Sequence, residues 1–597
     1  MCGLNGAFAY HPAAPSPPQA EILATRDHMR RRGPDGAGAW RSPDGRCALG
    51  HRRLSIIDLS AAASQPMVSE DEALTIVFNG EIYNFPKLKA DLERVGVVFR
   101  TRSDTEALLH LYRRYGADMV DHLRGMYALA IWDARREGLF LARDPYGIKP
   151  LYTANDGWTF RFASQVKALL AGGGVSRDPE AAGVVGFHLM GSVPEPFTLY
   201  REVRALPAGH RQWIDRLGPR EPEPFASISQ ALRPTSSSAV ELDEAVRSAV
   251  LDSVQAHLLA DVEVGLFLSA GVDSGALLGL MRDAGQSKVR AITLAFEEFA
   301  GTEEDEAPLA AQVAQAYGAD HHVRRVGRDE FERDLPDILE AMDQPSIDGV
   351  NTWFVSKAAS EAGLKVALSG LGGDEILAGY PSFRDIPRWV RWMRVPGAVP
   401  GLGQFARVLA RGAGLKSKAA GMAEYGGDFA GAYLLRRAVL MPYDLKDVLS
   451  PDVVRQGLER LDLRAALSGA ITPDPGQDTA RVAALEAQNY MRNQLLRDAD
   501  WAGMAHSLEI RTPLVDYDLL RRVGPLMPQM AGGRGKEALA RSPSIPLPRD
   551  IVERRKTGFG VPMGRWLSGA TGRDGASRRA ESRSWGGRVL QHQGLAA

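Results

Sequence analysis

The sequence predicts an α/β protein of at least two domains, and three observations carry that prediction. Within the stretch 264–278 an apolar run ends at Ser269, passes through a turn of small residues, and resumes as a helical pattern from Asp273. Strand-like runs at 290–296 and 365–369 alternate with helical stretches at 306–317 and 352–362. That rhythm belongs to a doubly wound parallel sheet, whose ligands sit at the carboxyl ends of the strands. The length of 597 residues exceeds what one hydrophobic core organises.

Composition narrows the functional class. With 45% apolar and 24% charged residues and a net charge of -1, the chain reads as soluble and globular, with no basic field to attract a nucleic acid. Its two cysteines, Cys2 and Cys47, cannot build a disulfide framework and fit no metal-ligand spacing, which suits a reducing cytoplasm. Neither a signal peptide nor a run of transmembrane length is expected, so the partners predicted are small molecules and not a membrane.

The turn at 269–274 is suited to an anion. Ala270 and Gly271 let backbone N–H groups close on a phosphate, the helix that follows adds its positive end, and Ser269 and Ser274 can donate hydroxyls. Asp273 would be repelled by phosphate unless it held Mg²⁺. No Gly-Lys-Ser/Thr follows, so this is not a Walker A loop; it resembles the Ser-Gly-Gly-x-Asp-Ser loop of ATP pyrophosphatases, which split ATP into AMP and pyrophosphate. A second glycine-rich turn, 369–380, offers Ser369, Gly370 and another acid, Asp374, to share the metal.

At the other end, Cys2 follows the initiator methionine. Were Met1 removed, the thiol would share a residue with a free α-amine of pKa near 8, a base able to take the thiol proton. After it come Arg32-Gly-Pro-Asp-Gly36, a strand-like run 50–58, Asn79-Gly80-Glu81, Ser103-Asp104-Thr105 opening a helix, and Arg143-Asp-Pro-Tyr-Gly147. In that order these motifs resemble the class II glutamine amidotransferase domain, an Ntn-type α/β/β/α sandwich. The resemblance implies that Cys2 attacks the glutamine amide, that the Asn79 side chain and the Gly80 N–H bind the oxyanion, and that Arg53, Leu54, Ser55, Ile56, Ile57, Glu81 and Asp104 hold the glutamine, with Arg53 on its α-carboxylate and Asp104 on its α-ammonium.

Adding the stretches 500–516 and 555–562, the chain from residue 2 to about Leu567 resembles the type B glutamine-hydrolysing asparagine synthetases. The resemblance implies ATP held by Leu268, Ser269, Ala270, Gly271, Asp273, Ser274, Leu294, Ser369 and Gly370, with Leu268 and Leu294 at the adenine, Mg²⁺ on Asp273 and Asp374, and Lys556 stabilising charge on an acyl-adenylate. It also implies a dry passage for ammonia, since the protonated form is no nucleophile. The expected product is asparagine, with glutamate, AMP and pyrophosphate; the alternatives are another carboxylate from a polysaccharide or secondary-metabolite pathway, or a non-catalytic regulatory relative. A homodimer is compatible with the family. Leu371 stands where the family carries a glutamate associated with the β-aspartyl-adenylate, which puts aspartate as acceptor in question.

The domain plan expected is an amidotransferase domain over 2–210, a Pro, Glu and Ser-rich linker over 211–238, a synthetase domain over 239–567 and a disordered tail over 568–597. The tryptophan and arginine-rich stretch 384–418 is compatible with a membrane surface but reads rather as a face of a helical subdomain, since Pro387, Pro396 and Pro400 interrupt any long amphipathic stripe.

Overall fold

The computed structural model describes residues 2–234, 241–554, 560–568 and 578–594. The N-terminal part is built on two antiparallel sheets. One has six strands in the spatial order Val203–Ala205, Tyr152–Asn155, Thr159–Ala163, Gly3–Ala9, Cys47–Arg53 and Gly36–Arg41. The other centres on Leu74–Ile82, Gly125–Asp133 and Gly138–Arg143. The sheets face each other through one core in which Leu4, Phe8, Leu49 and Phe162 of the first meet Val77, Ala130 and Leu141 of the second. Helices cover both outer faces: Leu88, Leu108 and Leu111 lie on the second sheet, and Met29, Val166 and Leu169 on the first. Four layers, α/β/β/α, result, as the motif order implied.

The C-terminal part holds a five-stranded parallel sheet in the order Asp320–Val326, Arg290–Phe296, Val264–Phe267, Val366–Leu368, Glu509–Arg511. Strand order reverses at Val264–Phe267: two successors lie on one side and the last two on the other. Such a switch point opens a crevice beyond the strand ends, and the loops after Phe267 and Leu368 both lead into it. Leu277 and Leu280 of the helix Val272–Asp283 pack with Leu266 and Leu368, while Phe354 of Val350–Glu361 packs with Ile292, Leu294 and Ala367.

Two expectations about chain ends and connections are corrected. The stretch expected as a linker begins with a strand, His210–Asp215, whose Gln212 pairs with Leu141 in the second sheet, and continues into the helix Ile228–Ala231, with Ile228 buried in the C-terminal core. Its proline and glutamate content concealed the apolar Trp213 and Ile214 that the pairing needs. The tail expected to be disordered carries the helix Arg578–His592, whose Trp585 and Val589 are buried against Phe331 and Trp566. Three apolar side chains at helical spacing, Trp585, Val589 and Leu590, suffice to dock it although the segment as a whole is polar.

Candidate active sites

The first site forms where the strands Gly3–Ala9, Cys47–Arg53 and Leu74–Ile82 present their ends. The Cys2 backbone nitrogen donates to Asn79 Oδ1 at 2.9 Å, and the thiol points to the Leu54 carbonyl, 3.9 Å away. Burial pushes that thiol above its ordinary pKa. Because Oδ1 is taken by Cys2, the Asn79 amide nitrogen is oriented away from it, and that nitrogen is a buried donor with no partner. An unmade donor held dry costs about 1–3 kcal/mol, so beside the Cys2 thiol it leaves a place for an acceptor from outside the chain. Asn79-Gly80 is no hairpin turn; both residues lie inside the strand, where Gly80 packs so closely that a Cβ would meet the Met126 carbonyl oxygen at 2.1 Å.

The remaining residues expected at glutamine surround this pair. Arg53 ends its strand with the guanidinium gathered by the loop after it, donating to the carbonyls of Asp58 and, at 2.8 Å, Ser60. Asp58 in turn accepts from the Arg102 backbone, 2.8 Å, which ties this loop to the helix start at Asp104. Ser103 caps that helix through the Thr105 N–H, leaving the Asp104 carboxylate to accept from the Ile82 N–H at 3.1 Å. Burial raises Asp104 to about 6: it is a carboxylate short of a cation. Burial likewise raises Glu81, whose Oε2 is 3.5 Å from Arg511. Leu54 and Ile56 face the other half of the chain, packing on Val366 and Met504, while the Ser55 N–H donates to Asp35 at 2.8 Å and Ile57 borders the same contact. Cys47 is a buried core thiol of the first sheet, apart from this group.

The second site lies in the crevice of the parallel sheet. Ser269 and Ser274 hydroxyls are 2.9 Å apart, and the Gly271 N–H donates to Ser269 Oγ at 3.2 Å, so the turn is closed on itself. Gly271 caps the helix that carries Asp273 and Ser274 in its first turn. Ala270 is buried without a positive φ, so its methyl is tolerated. The second glycine-rich turn presses on the first: a Cβ on Gly370 would sit 2.9 Å from Asp273 Cβ, and one on Gly373 would sit 2.6 Å from Asp273 Oδ1. Asp273 and Asp374 are thereby brought to one point, and Lys536 stands between them, paired with Asp273 and 2.8 Å from Asp374 Oδ1. Gly379 makes room, since a Cβ there would overlap Asp374 Oδ1 and the Lys536 stem.

Leu268 and Leu294 are both buried at the ends of neighbouring parallel strands, where the Leu268 N–H donates to the Ile292 carbonyl at 2.9 Å. Lys556 lies outside the described residues. The cation that the described residues deliver to the aspartates is Lys536, from the first turn of the helix Arg534–Arg541. Its only signal in sequence was a lysine inside Gly532-Gly-Arg-Gly-Lys536. Leu371 sits in the second turn with its side chain against the apolar cores.

Two buried ion pairs join the sites. Arg32 forks onto Asp500 at 2.6 and 2.9 Å while its Nε donates to the Cys2 carbonyl at 3.1 Å. Arg511, wholly buried, pairs with Glu509 at 2.6 Å, approaches Glu81 beside Asn79-Gly80, and through its carbonyl accepts the Ser369 N–H at 2.8 Å. One residue thus touches both sites. Sequence reasoning assigned these four residues no role: Arg32 and Asp500 are 468 residues apart, and the neighbours Glu509 and Arg511 meet Glu81 only through the fold.

Comparison with known proteins agrees with this division. Residues 1–226 match a glutamine amidotransferase domain family, and residues 245–593 match the asparagine synthase family. The chain is 32% identical to asparagine synthetase (glutamine-hydrolyzing) 1 of Bacillus subtilis over 95% of its own length and 88% of that protein. It is 33% identical to a putative asparagine synthetase (glutamine-hydrolyzing) of Mycobacterium bovis with the same coverage. It is also 28% identical to asparagine synthetase (glutamine-hydrolyzing) 3 of Bacillus subtilis, over 94% of this chain and 87% of that one.

Proposed function

Since the chain belongs to the asparagine synthase family and is a glutamine-dependent ligase of that kind, we propose that it hydrolyses glutamine at Cys2 and spends ATP at the paired aspartates to amidate a carboxylate, with aspartate the first acceptor to test. The observation that carries this reading is Arg511, whose side chain meets Glu81 of the glutamine site and whose carbonyl holds Ser369 of the phosphate site.

In the first half-reaction the Cys2 sulfur, its proton passed to the α-amine freed by removal of Met1, attacks the glutamine amide carbon. The oxyanion takes the unpaired Asn79 amide and the Gly80 N–H. Collapse expels ammonia and leaves a thioester, which water opens to glutamate and thiol. The Arg53 guanidinium exchanges loop carbonyls for the α-carboxylate, a bidentate match for its planar fork, and Asp104 gains the α-ammonium it lacks.

In the second, a carboxylate oxygen attacks the α-phosphorus of ATP and pyrophosphate leaves; ammonia then attacks the acyl carbon and AMP leaves. The turn at 269–274 and the helix behind it receive phosphate oxygens. Lys536 is placed to offset their charge once ATP competes for it with the two aspartates. Asp273 and Asp374 fit Mg²⁺, which takes one or two protein carboxylates and completes its shell from phosphates and water; among the described residues no group of three or more acidic, histidine or cysteine side chains would hold a metal without substrate. Bound there, the ion would neutralise the β and γ phosphates.

A second reading has one specific observation in its favour. Leu371 offers no charge to an amino-acid acceptor, which favours a different carboxylate. Incubation with glutamine, MgATP and aspartate decides between them: AMP, pyrophosphate and asparagine in equal amounts establish aspartate as acceptor, whereas glutamate release with no aspartate-dependent AMP rules it out.

A further inference from the structure

The helix Leu402–Gly412 is built inside out. Leu402, Phe405, Val408 and Leu409 share one face at helical spacing, and the last three are 62%, 63% and 59% exposed. The face turned to the protein is the polar one. Gly403 packs so tightly that a Cβ would lie 2.6 Å from the Glu424 Cα. Arg407 donates to Glu424 at 2.5 Å and stacks on Tyr443 at 4.5 Å, and Arg411 lies 3.4 Å from Asp444. The helix before it, Ser382–Ala398, extends the apolar surface with Trp392 and Val395, 55% and 77% exposed. A soluble helix buries its apolar stripe and wets its charges; an inverted one, continued by a neighbour, marks an interaction surface. This departs from the expectation that the stretch only covers a subdomain.

Charge identifies the occupant. Between residues 384 and 418 the sole acidic residue is Asp385. Arg388, Arg391, Arg394 and Lys416 border the apolar side chains, are exposed, and form no ion pair among the described residues. A second copy of the chain would bring like charges face to face. An anionic bilayer satisfies both parts of the surface, taking the apolar side chains below its headgroups and the cations at them. Arg388 stacks on Trp392 at 4.1 Å, a pairing of charge and amphipathic ring suited to that depth. Since no described helix is long and apolar enough to cross a membrane, the contact is interfacial. We propose that the surface around Trp392, Phe405 and Leu409 docks the enzyme on an anionic lipid bilayer. The helix Ser382–Ala398 starts two residues after Tyr380 of the second glycine-rich turn, so the docking surface belongs to the C-terminal part of the chain. This holds whichever carboxylate is amidated.

Flotation of the full-length protein with vesicles tests it. Vesicles of phosphatidylcholine mixed with phosphatidylglycerol should carry the protein up, and those of phosphatidylcholine alone should not. Raising salt to about 0.5 M, where the Debye length shrinks to a few ångströms, should weaken the binding. The variant Phe405→Ser/Val408→Ser/Leu409→Ser should lower the partition coefficient about tenfold or more. Arg388→Glu/Arg391→Glu/Arg394→Glu should remove the preference for anionic lipid. Both variants should keep the wild-type circular dichroism spectrum and rate of glutamine hydrolysis, because none of these residues reaches either site. Failure to float with either vesicle, or equal binding to both, overturns the proposal. So does a dimer in sedimentation velocity that the serine variant dissolves, which would make a second copy the occupant.

Discussion

The two sites solve opposite electrostatic problems. On the proposed reaction the charge to be stabilised at Cys2 exists only briefly, on an oxyanion, and the neutral donor beside it, the Asn79 amide, is buried and unpaired. At Asp273 and Asp374 the proposed partner, ATP, is permanently charged, and Lys536, paired with both aspartates, offsets one of their two charges until that partner competes for it. The first arrangement costs a buried unsatisfied group; the second costs the desolvation of Lys536 and two carboxylates, offset in part by their pairing. Preorganisation therefore takes the form of a fixed dipole where charge develops and of exchangeable charges where charge is delivered.

The sharpest way to break this comparison is to remove one site and measure the other. Cys2→Ala should lower glutamine hydrolysis on the order of 10⁴-fold or more, as loss of a nucleophile does, while AMP formation driven by ammonium chloride stays near the wild-type rate; loss of both would refute the division of labour. Lys536→Ala should lower AMP release by about 10³-fold, the loss expected when a charge at a transferring phosphoryl group is removed, with glutamate release in the absence of ATP unchanged. Asn79→Ala should lower kcat for glutamine by roughly 10²–10³-fold with a small change in KM, the signature of a group that acts only in the transition state; a change confined to KM would make Asn79 a binding residue. The smallest effect is in pH. In the proposed role Asp104 holds the substrate ammonium only when ionised, and because burial raises its pKa to about 6, KM for glutamine should rise about tenfold per pH unit below that value, a limb that Asp104→Asn should flatten.

A third region marks the contrast from outside. Both proposed sites are set among buried apolar side chains, whereas the helix Leu402–Gly412 displays its apolar side chains. Periodicity in the sequence reveals that such a helix is amphipathic but not which side faces out. That depends on Gly403 fitting against Glu424 and on Arg407 finding Glu424 and Tyr443.

Much of the architecture was legible before any fold. The strand, small-residue turn and helix at 264–278 are local, and so are Asn79-Gly80 and the helix start at 102–106, because backbone propensity and hydrogen bonding act over a few residues. Alternation of strand and helix implied the parallel sheet and its crevice for the same reason. Whatever depended on partners far apart in the chain stayed hidden. His210–Asp215 looked like linker until it paired with Gly138–Arg143, and the helix Arg578–His592 looked like tail until Trp585 met Phe331. Lys536 acquires its place only from Asp273, 263 residues away, and Arg511 from Glu81 in the other half of the molecule. The sequence by itself determined which residue types stand ready for the proposed chemistry, since Cys2, Asn79, Asp273 and Asp374 are fixed in local frames. Only the tertiary structure decided which cation meets which anion and which helix face meets water, because those energies arise between surfaces that do not exist until the chain has folded.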